Sequence, residues 1–379
     1  MLVITNKGET EERVTTEATT RMTTAATTEM VTEEITEEVT EAPTVAETAT
    51  PEAEATTEAS TERPAASRDY SGLFPENPED KEKPVFLIKP GTITIGKGET
   101  FDIHKYVGYA DDADRELELS VDGTVDTSQT GSTTIKVSIK DDAGNVLSDN
   151  FKVDVVDSST GSTEPSGSEE LTPFSEFDAK YRKDGVSLGI DVSRWEKDID
   201  FNKVKAAGCD FVIMRLGGYD DGELYTDRCY EQNIKNAKAA GLKIGIYWHA
   251  EESTKDETLA SVKYLLSVLN GEKLDFPIAY DWEDWGNFES YKMNIQDLND
   301  CYKVFQGELE AAGYETSIYG SKNFMGSVWR DQGDEPVWLA HYTSDTDYTG
   351  NYYMWQQTSS GTIDGVTTRC DFDILYNEQ

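Results

Sequence analysis

Between residue 180 and the C-terminus, eight apolar runs of strand length recur, and helix-patterned segments separate the early ones. The runs fall at 188–191, 211–216, 244–248, 277–283, 316–319, 337–342, 354–357 and 370–375. Ile295, Leu298, Tyr302, Phe305 and Leu309 recur at helical spacing. Gly208, Gly241 and Gly313 each follow an Ala-rich stretch, where a helix C-terminus commonly places glycine. After the fifth run the spacers shorten and the helical pattern fades. Strands alternating with helices over roughly 200 residues predict an α/β fold. The expected architecture is an irregular TIM-like β/α barrel, with about five β/α units and then three β-strands.

The chain upstream divides by composition. Residues 1–83 are dominated by Thr and Glu and hold too little apolar surface to offset the entropy of ordering, so they read as a disordered stalk, a spacer that gives reach. Residues 84–157 carry short β-rich runs between turn signals, with alternating apolar and polar residues at 134–139 and 151–156 and a hairpin loop at 142–145. They predict a small β-sandwich, similar to bacterial immunoglobulin-like surface modules, with a spacer role or, more sharply, carbohydrate or wall binding. Residues 158–179, rich in Ser, Gly and Thr, are expected to be a linker, and 180–379 the barrel.

The 379 residues carry 74 acidic and 34 basic side chains, a formal net charge of −40. That excludes the basic patches nucleic acid requires. Cys209, Cys229, Cys301 and Cys370 show no CxxC spacing, and His104, His249 and His341 are scattered, so no metal site and no cofactor is expected. The cysteines can pair or remain thiols; Cys209 and Cys370, beside strand-like runs, favour buried thiols. No apolar run is long enough to cross a membrane, and Met1-Leu2-Val3-Ile4-Thr5 turns polar at once, so any export signal or anchor is expected outside this sequence.

The chemistry gathers at the run ending Tyr280-Asp281-Trp282-Glu283. On a strand, positions i and i+2 share a face, so Asp281 and Glu283 project side by side with Trp282 opposite. Like charges held close push one pKa up, giving an acid and a carboxylate at one pH. Paired carboxylates with aromatic neighbours suit glycosidic-bond cleavage. In barrels of this kind the site lies at the C-terminal strand ends. Those ends supply Asp191, Tyr219, Tyr247, His249, Asp281, Glu283, Tyr319, Tyr342, Gln356 and Asp371, with Trp195 and Trp338 nearby. Core packing accounts for any one aromatic taken singly, but less well for the whole set.

In order along the chain stand Gly189-Ile190-Asp191-Val192-Ser193-Arg194-Trp195, Ile199-Asp200-Phe201, Val204 to Phe211, Ala240 to His249, Asp281-x-Glu283, Trp355-Gln356-Gln357-Thr358 and Cys370-Asp371-Phe372-Asp373. Over about 185–377 this set resembles the glycoside hydrolase family 25 lysozymes, the N-acetylmuramidases of the Chalaropsis type. The resemblance implies cleavage of the β-1,4 bond between N-acetylmuramic acid and N-acetylglucosamine in peptidoglycan. It implies Glu283 as proton donor, Asp281 as its partner, and Asp191 and Asp371 lining the sugar site. Tyr247 and His249 match family sugar contacts; Trp195, Tyr219, Tyr319, Trp338, Tyr342 and Gln356 complete the expected substrate-binding set. Arg194, Glu196, Trp248 and Asp373 depart from the commoner residues, which bears on preference among modified walls.

Strand-paired carboxylates leave retention and inversion both open; acetamido sugars favour retention through the substrate's own 2-acetamido group. A chitinase-like barrel would carry a further Asp where this chain has Ala279. The other alternative is a catalytically silent wall-binding or adhesin protein on a stalk. The expected partner is the peptidoglycan glycan strand, the expected state a monomer, and the expected place the bacterial surface or outside the cell.

Overall fold

The computed structural model of the chain describes residues 68–157, 171–283, 286–330 and 333–376. The predicted stalk up to residue 67 and the linker from 158 to 170 lie outside the described residues.

Strands β1 (Val85–Ile88), β2 (Thr92–Gly96), β3 (Gly108–Ala110), β4 (Glu118–Asp122), β5 (Gly131–Lys140) and β6 (Val146–Val156) build the N-terminal β module. A four-stranded sheet runs β2-β6-β5-β4, and β1 pairs with β3 in a separate antiparallel ladder. Alternation decides the inner face. Ile135, Val137 and Ile139 of β5 and Phe151, Val153 and Val155 of β6 are buried with Ile93, Ile95, Val107 and Tyr109, while the polar residues between them face out.

The segment 68–83, assigned by composition to the stalk, is instead tied to the barrel. The Tyr70 hydroxyl donates to Glu308 Oε1 at 2.8 Å, and the Phe74 N–H donates to Asp300 Oδ2 at 2.9 Å. The predicted linker likewise ends before 171. Strand β7 (Thr172–Pro173) pairs with Gly361 and Thr362, and helix α1 (Phe174–Tyr181) sets Phe174 and Phe177 against Phe372, with ring centroids 5.1 and 4.9 Å apart.

The barrel follows as β8 (Val186–Val192), α2 (Phe201–Ala206), β9 (Phe211–Asp220), β10 (Glu223–Thr226), α3 (Tyr230–Ala239), β11 (Lys243–His249), α4 (Lys255–Leu269), β12 (Ile278–Asp281), α5 (Gly286–Ser290), α6 (Ile295–Ala311), β13 (Thr316–Ser321), α7 (Lys322–Ser327), β14 (Val337–Ala340), β15 (Met354–Thr362) and β16 (Cys370–Tyr376). Eight strands close in the order β8-β9-β11-β12-β13-β14-β15-β16, with β16 returning to β8. Helices α2 and α3 stop where Gly208 and Gly241 adopt positive φ, 104° and 74°. All neighbours run parallel except β16, which is antiparallel to both β15 and β8. The loop between β15 and β16 is too short for a parallel crossover, so the chain turns back on itself.

Because both strand faces are covered, the strands are apolar nearly throughout. Phe211, Ile213, Ala279, Tyr319, Trp338, Ala340 and Met354 form one buried cluster inside the barrel. Val212, Met214, Trp248, Tyr280 and Trp282 belong to the other, against Leu265, Leu298 and Phe305 of the helices. Cys209, Cys301 and Cys370 are buried thiols, and Cys229 is a half-buried thiol.

The module is bolted to the start of α6. The Ile295 N–H donates to Asp111 O at 2.8 Å, and Asn294 Nδ2 donates to Ala113 O at 2.7 Å. Asn294 and Asp297 form a reciprocal capping box. Arg115 donates through Nε and Nη2 to the two oxygens of Asp297, both at 2.7 Å. Arg115→Ala is expected to lower stability by about 1.5–3 kcal/mol in urea unfolding, with Arg115→Lys restoring only part because the planar fork is lost.

Glu252 is fully buried behind β11 and β12. It accepts from Trp248 Nε1 at 2.8 Å and the Tyr280 hydroxyl at 3.3 Å. Burial outweighs these donors and lifts its pKa from 4.5 to about 7. The folded chain therefore holds a proton that the unfolded chain releases earlier. This stabilising contribution is complete below the unfolded pKa and is lost as pH rises through about 7. Glu252→Gln is expected to flatten the fall of Tm across that window in calorimetry; an unchanged slope would contradict it.

Candidate active site

The rim at the C-terminal ends of the parallel strands collects the polar side chains. Backbone pairing sets Asp281 beside His249 on one side and Tyr319 on the other, Tyr319 beside Trp338, and Ala340 beside Gln356. Asp371 opposes Asp191 directly. Sequence alone places Asp371 at the end of a strand; the structure places it at the beginning of β16. The antiparallel course of β16 brings that beginning to the same rim as the end of β8.

A hydrogen-bonded chain crosses the mouth. The Tyr319 and Tyr342 hydroxyls both donate to Gln356 Oε1 at 2.8 Å. With its oxygen so engaged, Gln356 turns Nε2 to Asp191 Oδ2 at 2.7 Å. Burial, with the nearby carboxylates adding to it, pushes three tyrosines well above their ordinary pKa. For Tyr319 these include Glu283, Asp281 and Asp191; for Tyr342, Asp371, Glu283 and Asp191; for Tyr247, Asp191 and Asp281, opposed by Arg215. Those hydroxyls remain protonated donors at any working pH. Tyr342 leaves 47% of its surface exposed, yet its hydroxyl end reaches into this buried chain. Asp191, Asp281 and Asp371 are buried, whereas Glu283 is half-buried, one step further out on the rim.

Two expected sugar contacts stand elsewhere. Strand β9 carries a bulge: Arg215 pairs with Tyr247, but Gly217 pairs with Trp248 and Gly218 with His249. The extra residue flips the face of everything beyond it. Tyr219 therefore points outward, hydrogen-bonds Glu257 of α4 and packs on the outer core; burial and that partner raise its pKa to about 12. Trp338 is 1% exposed, donates Nε1 to Asp373 Oδ1 at 2.9 Å and meets Tyr319 edge-on with centroids 4.7 Å apart. It is floor, not a stacking face. Half-buried Trp195 lies under the Arg194 guanidinium, 4.8 Å from its ring centroid.

Three further groups support the mouth. Asp227, 2% exposed, takes Arg215 Nε and the Arg194 N–H on one oxygen, both at 2.9 Å, and so pins the Trp195 loop to β9. Glu196 accepts the Ser193 N–H at 2.7 Å. Asp373 holds Trp338. Glu196 and Asp373 were legible as departures from the family's commoner residues, and Asp373 also sits two residues from Asp371 on the same strand; Asp227 carried no readable signal. Among the described residues, the carboxylates close enough to share a cation are Asp80, Asp111, Asp112, Asp114 and Asp141, away from this mouth.

Residues 190–366 match the glycosyl hydrolases family 25. The autolytic lysozyme of Clostridium acetobutylicum is 27% identical over 187 residues, 49% of this chain and 54% of that protein. Lysozyme M1 of Streptomyces globisporus is 26% identical over 196 residues, 48% of this chain and 65% of its own length. The chain thus spans about half to two-thirds of the length of these curated relatives. Among solved structures, the Clostridium perfringens spore cortex lytic enzyme SleM aligns with a TM-score of 0.47 at 22% identity, over 52% of this chain and 69% of that one. Over residues 190–366, then, about half of its length, this chain is similar to the glycosyl hydrolases of family 25.

Proposed function

We propose that this protein hydrolyses peptidoglycan as a muramidase, cutting the β-1,4 bond between N-acetylmuramic acid and N-acetylglucosamine. One observation carries the reading: strand register sets Asp371 opposite Asp191 and Asp281 between His249 and Tyr319 at one barrel mouth, with Glu283 two residues beyond Asp281. Carboxylates set close together let one act as acid while another stays ionised, the pairing that glycosidic-bond cleavage uses. Glu283, outermost and half-buried, is the general acid. Asp281, two residues behind it on the same face, steadies the substrate's 2-acetamido group as it attacks the anomeric carbon, which gives retention. Asp191, fixed by Gln356, and Asp371 line the sugar site. Tyr342 and Trp195 offer the accessible aromatic faces, with Tyr247 and His249 alongside. The names of the lysozyme relatives agree with this chemistry. A wall substrate places the chain outside the cell or on its surface. We read the β module as an immunoglobulin-like unit that presents the barrel to the wall.

Digestion of purified peptidoglycan, followed by mass spectrometry of borohydride-reduced fragments, tests the reading. Wild type should yield reduced muramic acid ends, and Glu283→Gln should lower their rate of appearance by about 10²–10⁴-fold. Reduced glucosamine ends would refute the bond assignment, and no fragments from any wall type would make this a binding protein. Inverted anomers in an early NMR spectrum would rule out acetamido assistance.

A further inference from the structure

Five aspartates from three separated stretches converge where the β module meets the barrel. Asp80 precedes β1; Asp111, Asp112 and Asp114 follow β3; Asp141 opens the turn between β5 and β6. Carboxylate oxygens of Asp80, Asp111 and Asp112 lie within 4.8 Å of one another, and so do those of Asp80, Asp114 and Asp141. Asp111 is 1% exposed and Asp141 3%. Each commits one oxygen to local backbone. Asp111 Oδ1 accepts the Ala113 and Asp114 N–H groups, both at 2.9 Å, and Asp141 Oδ1 accepts the Asn145 N–H at 2.7 Å. The second oxygen of each, like Asp112 Oδ1, is buried and accepts no hydrogen bond. Among the described residues no Lys or Arg is ion-paired with any of the five: neighbouring Arg115 turns to Asp297, and Lys81 to Glu79.

Buried carboxylate oxygens with neither a donor nor a cation are costly, and oxygens that converge share one remedy. We propose that these aspartates form a calcium site, with Asp80 shared between the two triads. The donor set is all oxygen, which disfavours zinc and copper. It offers more carboxylates than magnesium takes, since magnesium keeps most of its waters, whereas calcium accepts six to eight oxygens in flexible geometry. The ion would clamp the 111–115 loop, whose carbonyls and Arg115 hold the start of α6 on the mouth side of the barrel. Cysteine and histidine spacing gave no hint of a metal because the ligands are aspartates spread from 80 to 141.

The test uses the full chain stripped with EGTA, then titrated with calcium chloride by calorimetry and melted with and without the ion. Wild type should bind calcium and gain about 5–10 °C in Tm at calcium 100-fold above Kd. Asp80→Asn and Asp112→Asn should lose most of that gain, yet in EGTA melt at or above wild type, because a repelling charge is gone. A wild type that takes up no calcium at millimolar concentration would overturn the proposal. So would either folded variant that keeps the full calcium response, and magnesium matching calcium would overturn the choice of ion.

Discussion

A closed barrel of eight strands has a single interior, and the two-residue alternation of side chains decides what enters it. The lower part of that interior is filled by Phe211, Ile213, Ala279, Trp338 and Met354. The upper part is polar, and several polar groups there are held by one another: Gln356 by two tyrosines, Asp191 by Gln356, Trp338 by Asp373, Arg215 by Asp227. Without this mutual satisfaction, burying so many polar atoms would oppose closure. The mouth and the fold are therefore stabilised by the same contacts.

Strand parity also explains what the sequence made legible. Asp281 and Glu283, two apart at a strand end, and the helical spacing of Ile295, Leu298, Tyr302, Phe305 and Leu309 need no knowledge of partners. Tyr219 did need it: the bulge that turns it outward is visible only against the register of β11. Asp371 was assigned to the right rim through the wrong strand direction, since direction depends on how the 363–369 loop closes. Residues 68–83 read as stalk because two anchors, Tyr70 and Phe74, are easily lost among polar neighbours. The aspartate cluster was unreadable because its members meet only once three segments have folded.

The β module does more than add length. Its loop supplies acceptors to the N–H of Ile295 and the amide of Asn294, groups at a helix start that otherwise turn to water. That helix follows directly on the segment leading away from Glu283, so module and mouth share a boundary.

The return of β16 has a consequence for how the domain can be handled. Pairing of Tyr376 with Val186 sets the barrel's last strand residue beside its first, at the end remote from Asp191 and Asp371. The polypeptide enters and leaves the barrel through the same door, on the side away from the mouth. A tether attached there can be lengthened or exchanged without passing in front of the mouth.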